Sequence, residues 1–174
     1  MAQQAHAPDY PLTHCSIARS LELLGDRWTL LVLREVFHGV RRFDDLHARL
    51  GAPRQVLSNR LAQLVDDGFL RREPYREPGQ RTRYEYRLTT KGRELFPILV
   101  ALLHWGDRHA VGPAGPPISL HHHDCAAEVE LALRCGDGHE LSGPRDVEIH
   151  RHTPRTVAAA APRRTSGGTD ADPA

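Results

Sequence analysis

The segment from Arg27 to Phe37, RWTLLVLREVF, constrains the fold more than any other part of the chain. As a helix it is apolar on nearly every side, so it belongs in the middle of a core. Asp26 directly before it predicts an N-cap, and His38-Gly39 predicts its end. A chain of 174 residues with 40% hydrophobic residues can fold one compact domain around this helix, with room for a small module.

Two amphipathic helices are predicted beside the core helix. The first begins at Ser16 and carries Ile17, Leu21 and Leu24 at helical spacing. Gly25 follows it, where a helix end favours a residue that tolerates positive φ. The second is short. Its apolar stripe consists of Phe43, Leu46 and Leu50, and Gly51 ends it.

The next predicted helix has two sharply different faces. Pro53 suits its first turn, where the missing N–H costs nothing, and Asp66-Asp67-Gly68 closes it. Its inward face is apolar: Leu57, Leu61, Leu64 and Val65. Its outward face carries hydrogen-bonding side chains, without Asp or Glu until the last turn: Arg54, Gln55, Ser58, Asn59 and Gln63.

A hairpin and a long helix complete this part of the chain. Two strand-like segments, 69–75 and 82–88, flank a Pro-Gly turn, and arginines lie around its tip. Thr89-Thr90 then predicts the cap of a helix from about Lys91 to Val111. Its two apolar rows are Leu95, Leu99 and Leu102 beside Phe96, Val100 and Leu103. So much apolar surface on a last helix predicts a partner helix.

The charge is distributed unevenly although the net charge is only +1. Residues 1–112 hold 17 basic and 13 acidic residues, whereas 113–174 hold 6 and 9. Between Arg54 and Arg93 there are 10 basic and 5 acidic residues. This local excess favours a nucleic-acid partner, and arginine is suited to forked contacts with phosphate and guanine.

These elements predict a mainly α fold with a small β-hairpin wing. It is a winged helix-turn-helix with a C-terminal dimerisation helix and a small β-rich, ribbon-like C-terminal appendage. A polar-faced helix fits the major groove, where Arg, Gln, Asn and Ser can match base edges. The alternative is a zinc- or protein-binding module in which the winged domain contacts protein. Because no nucleophile, base and oxyanion arrangement is evident, an enzyme is not predicted.

Five motifs carry a resemblance to a known family. They are GDRW at 25–28, RRF at 41–43, L-x-x-R-L at 57–61, DGF at 67–69 and Y-x-Y-x-L-T-x-x-G at 84–92. Together they resemble the HxlR-type winged helix-turn-helix transcriptional regulators, relatives of the MarR group, over residues 14–110. The resemblance implies a homodimer on a pseudo-palindromic operator in double-stranded DNA, more often a repressor than an activator.

The polar face of the fourth predicted helix and the arginines of the hairpin indicate where DNA contacts lie. The recognition-helix candidates are Arg54, Gln55, Ser58, Asn59 and Arg60, and the wing candidates are Arg76, Arg81 and Arg83. Family members often begin this helix with a hydroxyl cap followed by a basic residue. Pro53 and Gln55 stand there in this chain, a departure that bears on the operator sequence and not on DNA binding.

Cys15 precedes the first predicted helix, in a C-x-I motif that the resembling family frequently retains. In redox- and electrophile-responsive members a cysteine at this position acts as the sensor. A helix N-terminus favours the thiolate, which attacks quinones, hypochlorite or disulfides. The alternative is a small residue that packs where the arm meets the core.

The stretch 121–141 concentrates four of the twelve histidines and two of the three cysteines. A zinc site needs four Cys or His ligands, and the candidates are His123, Cys125, Cys135 and His139. The strand-like VELAL lies between the two pairs. Some resembling family members carry C-x-x-C-G here, but Gly138 replaces the second cysteine. The alternatives are a zinc site in which His139 substitutes, or a ribbon that folds without metal; no cofactor is required for DNA binding.

The predicted boundaries follow composition. They are a flexible arm at 1–13, the DNA-binding and dimerisation domain at 14–111, a linker at 112–117, the His/Cys module at 118–150 and a disordered tail at 151–174. With neither a long apolar run nor a signal peptide in the sequence, no membrane partner and a cytoplasmic location are expected.

Overall fold

The computed structural model describes residues 11–150. Within them lie six α-helices and one two-stranded sheet: α1 Ser16–Leu24, α2 Arg27–Phe37, α3 Phe43–Leu50, α4 Arg54–Asp66, β1 Leu70–Tyr75, β2 Arg83–Leu88, α5 Thr90–Arg93 and α6 Phe96–His109. Short 3₁₀ turns lie at Leu12–His14 and Pro144–Asp146. The predicted fold class, mainly helical with a hairpin wing, is confirmed. The predicted tail at 151–174 and most of the predicted arm lie outside the described residues.

Helix α2 is the centre of the core, as its apolar sequence predicts. Val32 and Leu33 are completely buried. The side chain of Asp26 accepts a hydrogen bond from the Trp28 backbone N–H at 2.8 Å, which confirms the predicted N-cap. The buried cluster around α2 comes mainly from α3, α4 and the start of β1: Leu46, Leu57, Leu61, Leu64, Phe69 and Leu70.

The helix-turn-helix is formed by α3 and α4. Gly51 ends α3 with φ 62°, in the left-handed region that favours glycine. Pro53 lies at the N-cap of α4 with φ −54°, one position before the helix. Gly25 was predicted to adopt a positive φ, but its φ is −71°, an ordinary helical value. A Cβ there would lie 2.5 Å from the Leu21 carbonyl oxygen, so close backbone approach, not positive φ, requires the glycine.

Strands β1 and β2 form the antiparallel wing, with Leu70 paired to Leu88 at its base and Tyr75 to Arg83 near its tip. The backbone N–H of Tyr86 donates to the Arg41 carbonyl at 2.8 Å, which anchors the wing to the segment before α3. The wing and the helix-turn-helix are therefore joined by backbone hydrogen bonding.

The helix predicted from Lys91 to Val111 is divided into α5 and α6, so the prediction of one continuous helix is wrong. Pro97 lies in the first turn of α6, where it lacks the N–H that a continuous helix would need. The hydroxyl of Thr89 accepts from the Gly92 N–H at 3.1 Å and so caps α5, as predicted.

Apart from the 3₁₀ turn at Pro144–Asp146, the regular structure of the C-terminal module, residues 118–150, consists of two isolated β-bridges, His121 to Glu128 and Arg134 to Glu140. The VELAL segment between them forms no ladder. No side chain between residues 118 and 150 is buried. The module is therefore a set of hydrogen-bonded turns without an apolar core of its own.

Candidate nucleic-acid interface

The outward face of α4 is exposed as predicted, with Arg54, Gln55, Ser58 and Asn59 in solvent. Leu57, Leu61 and Leu64 on the opposite face are buried and fix the rotation of the helix. The Gln55 amide nitrogen donates to the Asn59 side-chain oxygen at 2.8 Å across one turn. This contact holds two amide side chains in one outward-facing row.

Arg60 occupies a different environment from the other recognition-helix candidates. Its guanidinium forms an ion pair with Asp26 at 2.9 Å, and 25% of its side chain is exposed. Because Asp26 also caps α2, this pair ties α4 to the start of the core helix. The structure therefore places Arg60 on the flank that faces the core and not in the outward row.

The wing candidates lie around the tip of the hairpin. Arg76 donates through Nε to the Gln80 carbonyl at 3.1 Å, a contact that closes the turn. Arg81 is exposed. Arg83 begins β2, and its guanidinium lies 3.8 Å from the Asp44 carboxylate. Of the three, Arg81 and Arg83 face the helix-turn-helix across a shared cleft.

An open cleft of about 670 Å³ separates the wing from α3 and the start of α4; we call it the basic cleft. Five arginines line it: Arg42, Arg54, Arg72, Arg81 and Arg83. Aromatic rings hold two of them, since the Arg42 guanidinium lies 4.4 Å from the Tyr75 ring centre and that of Arg72 lies 4.4 Å from Tyr84. Asp44 and Asp45 also line the cleft, so its charged side chains are five arginines and two aspartates, an excess of positive charge.

Sequence reasoning did not identify Arg42 and Arg72 as site residues. Arg42 belongs to the quoted RRF motif, but only the fold brings it beside the wing. Arg72 pairs with Tyr86 in the strand register, which sets it on one face of the hairpin with neighbouring tyrosines. In β2 the sequence RYEYR alternates tyrosines with charged residues, and this period of two is the signal that points to a tyrosine face.

A buried carboxylate links the core helix to the helix-turn-helix. Glu35 is 3% exposed, and it accepts hydrogen bonds from Arg34 on α2 and Arg49 on α3. Burial alone would raise the pKa of Glu35, but the hydrogen bonds from Arg49 and Arg34 outweigh it and lower that pKa below its ordinary value. The carboxylate is therefore a charged clamp between α2 and α3.

Exposed apolar side chains form two stripes on the helices that flank this unit. On α1, Ile17 and Leu21 are 71% and 59% exposed. On α6, Ile98, Leu102 and Trp105 recur at i, i+4 and i+7 and are all exposed. Leu24, the third residue of the predicted α1 stripe, packs against the core instead.

Cys15 lies at the N-cap position of α1 and is half-buried. Its backbone N–H donates to the Leu12 carbonyl at 3.0 Å, which closes the 3₁₀ turn before the helix. The thiol therefore stands where the N-terminal segment meets α1.

Of the four predicted zinc ligands, the structure brings together Cys135 and His139 but not His123 and Cys125. The Cys135 sulfur lies 3.5 Å from His139 Nδ1, but the residue beside Cys125 is His122, whose Nδ1 lies 3.2 Å from that sulfur. His123 contacts Asp124 instead. In the part of the chain that the structure describes, no three His, Cys, Asp or Glu side chains are grouped to hold a metal ion. Zinc binding stays a prediction.

Among residues 11–150, no helix has the length and apolar character that crossing a membrane requires.

Comparison with known proteins connects this geometry to a family. The HxlR-like helix-turn-helix family model matches residues 23–112. An uncharacterised HTH-type transcriptional regulator of Mycobacterium bovis, Mb3122, is 51% identical over 120 residues, which are 69% of this chain and 75% of that protein.

Two solved structures are similar as well. The crystal structure of PA1607, a candidate transcription factor, is similar with a TM-score of 0.71 and 37% identity, over 80% of this chain and 96% of PA1607. The oxidized form of the redox regulator HypR has a TM-score of 0.51 and 26% identity, over 56% of this chain and 100% of HypR. The family match spans more than half of the chain and includes α2 to α6 with the basic cleft. This chain belongs to the HxlR-like helix-turn-helix family.

Proposed function

We propose that the chain is a sequence-specific, DNA-binding transcriptional repressor that acts as a homodimer on a pseudo-palindromic operator. The observation that carries this proposal is the basic cleft next to the outward polar face of α4. A helix whose amides and guanidinium groups face solvent beside an arginine-lined groove combines base reading with phosphate binding.

Each part of the interface has its own task in this proposal. Gln55 and Asn59 on α4 enter the major groove, where an amide can bond both N6 and N7 of adenine. Their mutual hydrogen bond holds them at fixed spacing before DNA arrives. Arg81 and Arg83 on the wing contact phosphates, which contributes affinity and salt dependence but no base preference. Arg60 keeps a structural role through Asp26.

The two apolar stripes supply the dimer contact. Exposed rows of Ile, Leu and Trp on α1 and α6 would remain in water in a monomer. A two-fold symmetric pair of chains covers the same surface on each copy. Two recognition helices then read half-sites about 34 Å apart, one turn of B-DNA. A dimer bound at a promoter represses by competing with polymerase for the same DNA.

A redox or electrophile response through Cys15 is the second part of the proposal. HypR, which is similar to this chain, is a redox regulator and supports such a response. Cys15 lies at the start of α1, the helix that carries Ile17 and Leu21 of the proposed dimer contact. Oxidation of the thiol would therefore perturb the element through which two recognition helices are held at their spacing.

The rival function is protein binding through the winged domain, with or without zinc. Measurements of DNA affinity distinguish DNA binding from protein binding. The Kd of each variant is measured for the upstream region of the chain's own gene and for a random duplex. We expect R81A/R83A to weaken binding to both DNAs alike, whereas Asn59→Ala reduces mainly the preference for the upstream region. Equal losses from both variants would contradict the assigned roles. Binding that does not weaken as salt rises would favour the rival.

A further inference from the structure

The carboxylate of Asp44 connects the two elements that the proposed function assigns to DNA. One oxygen lies 2.9 Å from the guanidinium of Arg54, the first residue of α4. The other lies 3.8 Å from the guanidinium of Arg83, the first residue of β2. A single acidic side chain therefore holds an arginine from the recognition helix and an arginine from the wing.

The surroundings of Asp44 keep this arrangement in place while leaving it open to DNA. The Arg54 guanidinium lies 5.0 Å from the centre of the Phe43 ring, which directs it toward the carboxylate. The side chains of Asp44 and Arg54 are each 64% exposed at the edge of the basic cleft. A duplex that reaches either arginine must therefore approach the Asp44 charge as well.

A carboxylate and a phosphodiester offer arginine the same chemistry, a pair of anionic oxygens that accept charge-assisted hydrogen bonds. We propose that Asp44 is an affinity-determining residue that competes with DNA phosphate for Arg54 and Arg83. In the absence of DNA it takes the place of a phosphate between the two arginines. When DNA binds, the phosphate displaces it and the nearby negative charge opposes the complex. This inference rests on the proposed function.

The chain contains a matched control in the next residue. Asp45 follows Asp44 in the first turn of α3, so loss of either charge alters the interaction with the helix dipole similarly. Within the described residues, Asp45 forms no ion pair, whereas Asp44 forms two. The variants D44N and D45N therefore differ chiefly in the contacts with Arg54 and Arg83.

The test is fluorescence anisotropy with a labelled random-sequence duplex at several salt concentrations, using the full chain. We expect D44N to lower the Kd at low salt by about threefold to tenfold, because the arginines are no longer paired internally. The slope of log Kd against log salt should steepen by up to about one, as for one additional phosphate contact. We expect D45N to lower the Kd by less than about twofold.

The same substitution in a variant that lacks both arginines distinguishes this mechanism from a general charge effect. If Asp44 acts mainly through the two arginines, D44N added to R54A/R83A should lower the Kd of that double variant by less than about twofold, no more than D45N does in the wild type. Failure of D44N to bind more tightly than the wild type, or an equal gain from D45N, would overturn the inference. Absence of salt-sensitive binding by the wild type itself would instead overturn the proposed function, and the inference with it.

Discussion

Glu35 and Arg49 join the core helix to the helix-turn-helix, with 2.5 Å between the buried carboxylate and the Arg49 guanidinium. Only 4% of the Glu35 side chain is exposed. Because α3 supports the start of α4, this pair fixes the base from which the recognition helix projects. Removal of Arg49 leaves the buried Glu35 carboxylate with Arg34 as its remaining ion-pair partner.

The first prediction concerns the pH dependence of this clamp. The pKa of Glu35 is lowered below its ordinary value of 4.5, so its contribution to folding is complete above that value and is lost as pH falls below it. We expect Glu35→Gln to reduce the free energy of unfolding by about 2 kcal/mol at pH 7, with a smaller difference near pH 3. Urea unfolding at both pH values measures this, with the exposed Glu22→Gln as control. An equal difference at the two pH values would contradict the charged clamp.

The second prediction tests the position of Arg60. Its ion pair with Asp26 is partly exposed, so we expect Arg60→Ala to lower the free energy of unfolding by about 1 kcal/mol. DNA affinity at a temperature well below unfolding should change by less than about threefold. Thermal unfolding and anisotropy on the same samples provide both values. A loss of DNA affinity without a loss of stability would indicate that Arg60 contacts DNA, contrary to this prediction.

The third prediction concerns the apolar stripes on α1 and α6. A charge in a covered apolar contact is strongly unfavourable, so Leu21→Glu or Trp105→Glu should convert the dimer to a monomer at micromolar concentration. Leu133→Glu changes an equally apolar, 66% exposed residue outside the stripes and should leave the dimer intact. Light scattering after size-exclusion chromatography measures the masses. If the wild type were monomeric, the proposed two-fold arrangement would be excluded.

The fourth prediction concerns Cys15. We expect treatment with diamide or a quinone to weaken DNA binding by the wild type at least about tenfold, an effect of the size common for coupled sites. The variant Cys15→Ser should bind DNA normally and lose the response. A chain with both Cys125 and Cys135 changed to serine should still respond, because these thiols lie in the C-terminal module. A response that depends on Cys125 or Cys135 and not on Cys15 would contradict the assignment of Cys15 as the sensor.

The helices around the core could be predicted from sequence because local signals agree there with burial. For α2, the apolar run, the Asp26 cap and the His38-Gly39 break define both ends. The last helix could not be predicted as well, because its apolar rows continue through the break that Pro97 causes. Periodicity reports which face is apolar but not whether the backbone is continuous.

The candidate site was predictable only in part, because helical spacing determines which side chains face outward but not which distant segments the fold brings together. The outward row of α4 follows from helical spacing, since Leu57 and Leu61 must face inward. The inward ion pair of Arg60, the cleft position of Arg42 and the Asp44 contacts depend on segments that are distant in sequence. The His122 contact with Cys125 has a different cause, since it is local and depends on the exact turn geometry, which residue spacing alone does not determine.

The most direct test of the account is selection of bound sequences from a random duplex library by the purified wild-type chain. We predict enrichment of an inverted repeat whose half-site centres lie about 10 base pairs apart, one turn of B-DNA. We also predict that the enriched duplex binds about a thousandfold more tightly than the starting library. A library that remains random after repeated selection would contradict sequence-specific binding by α4.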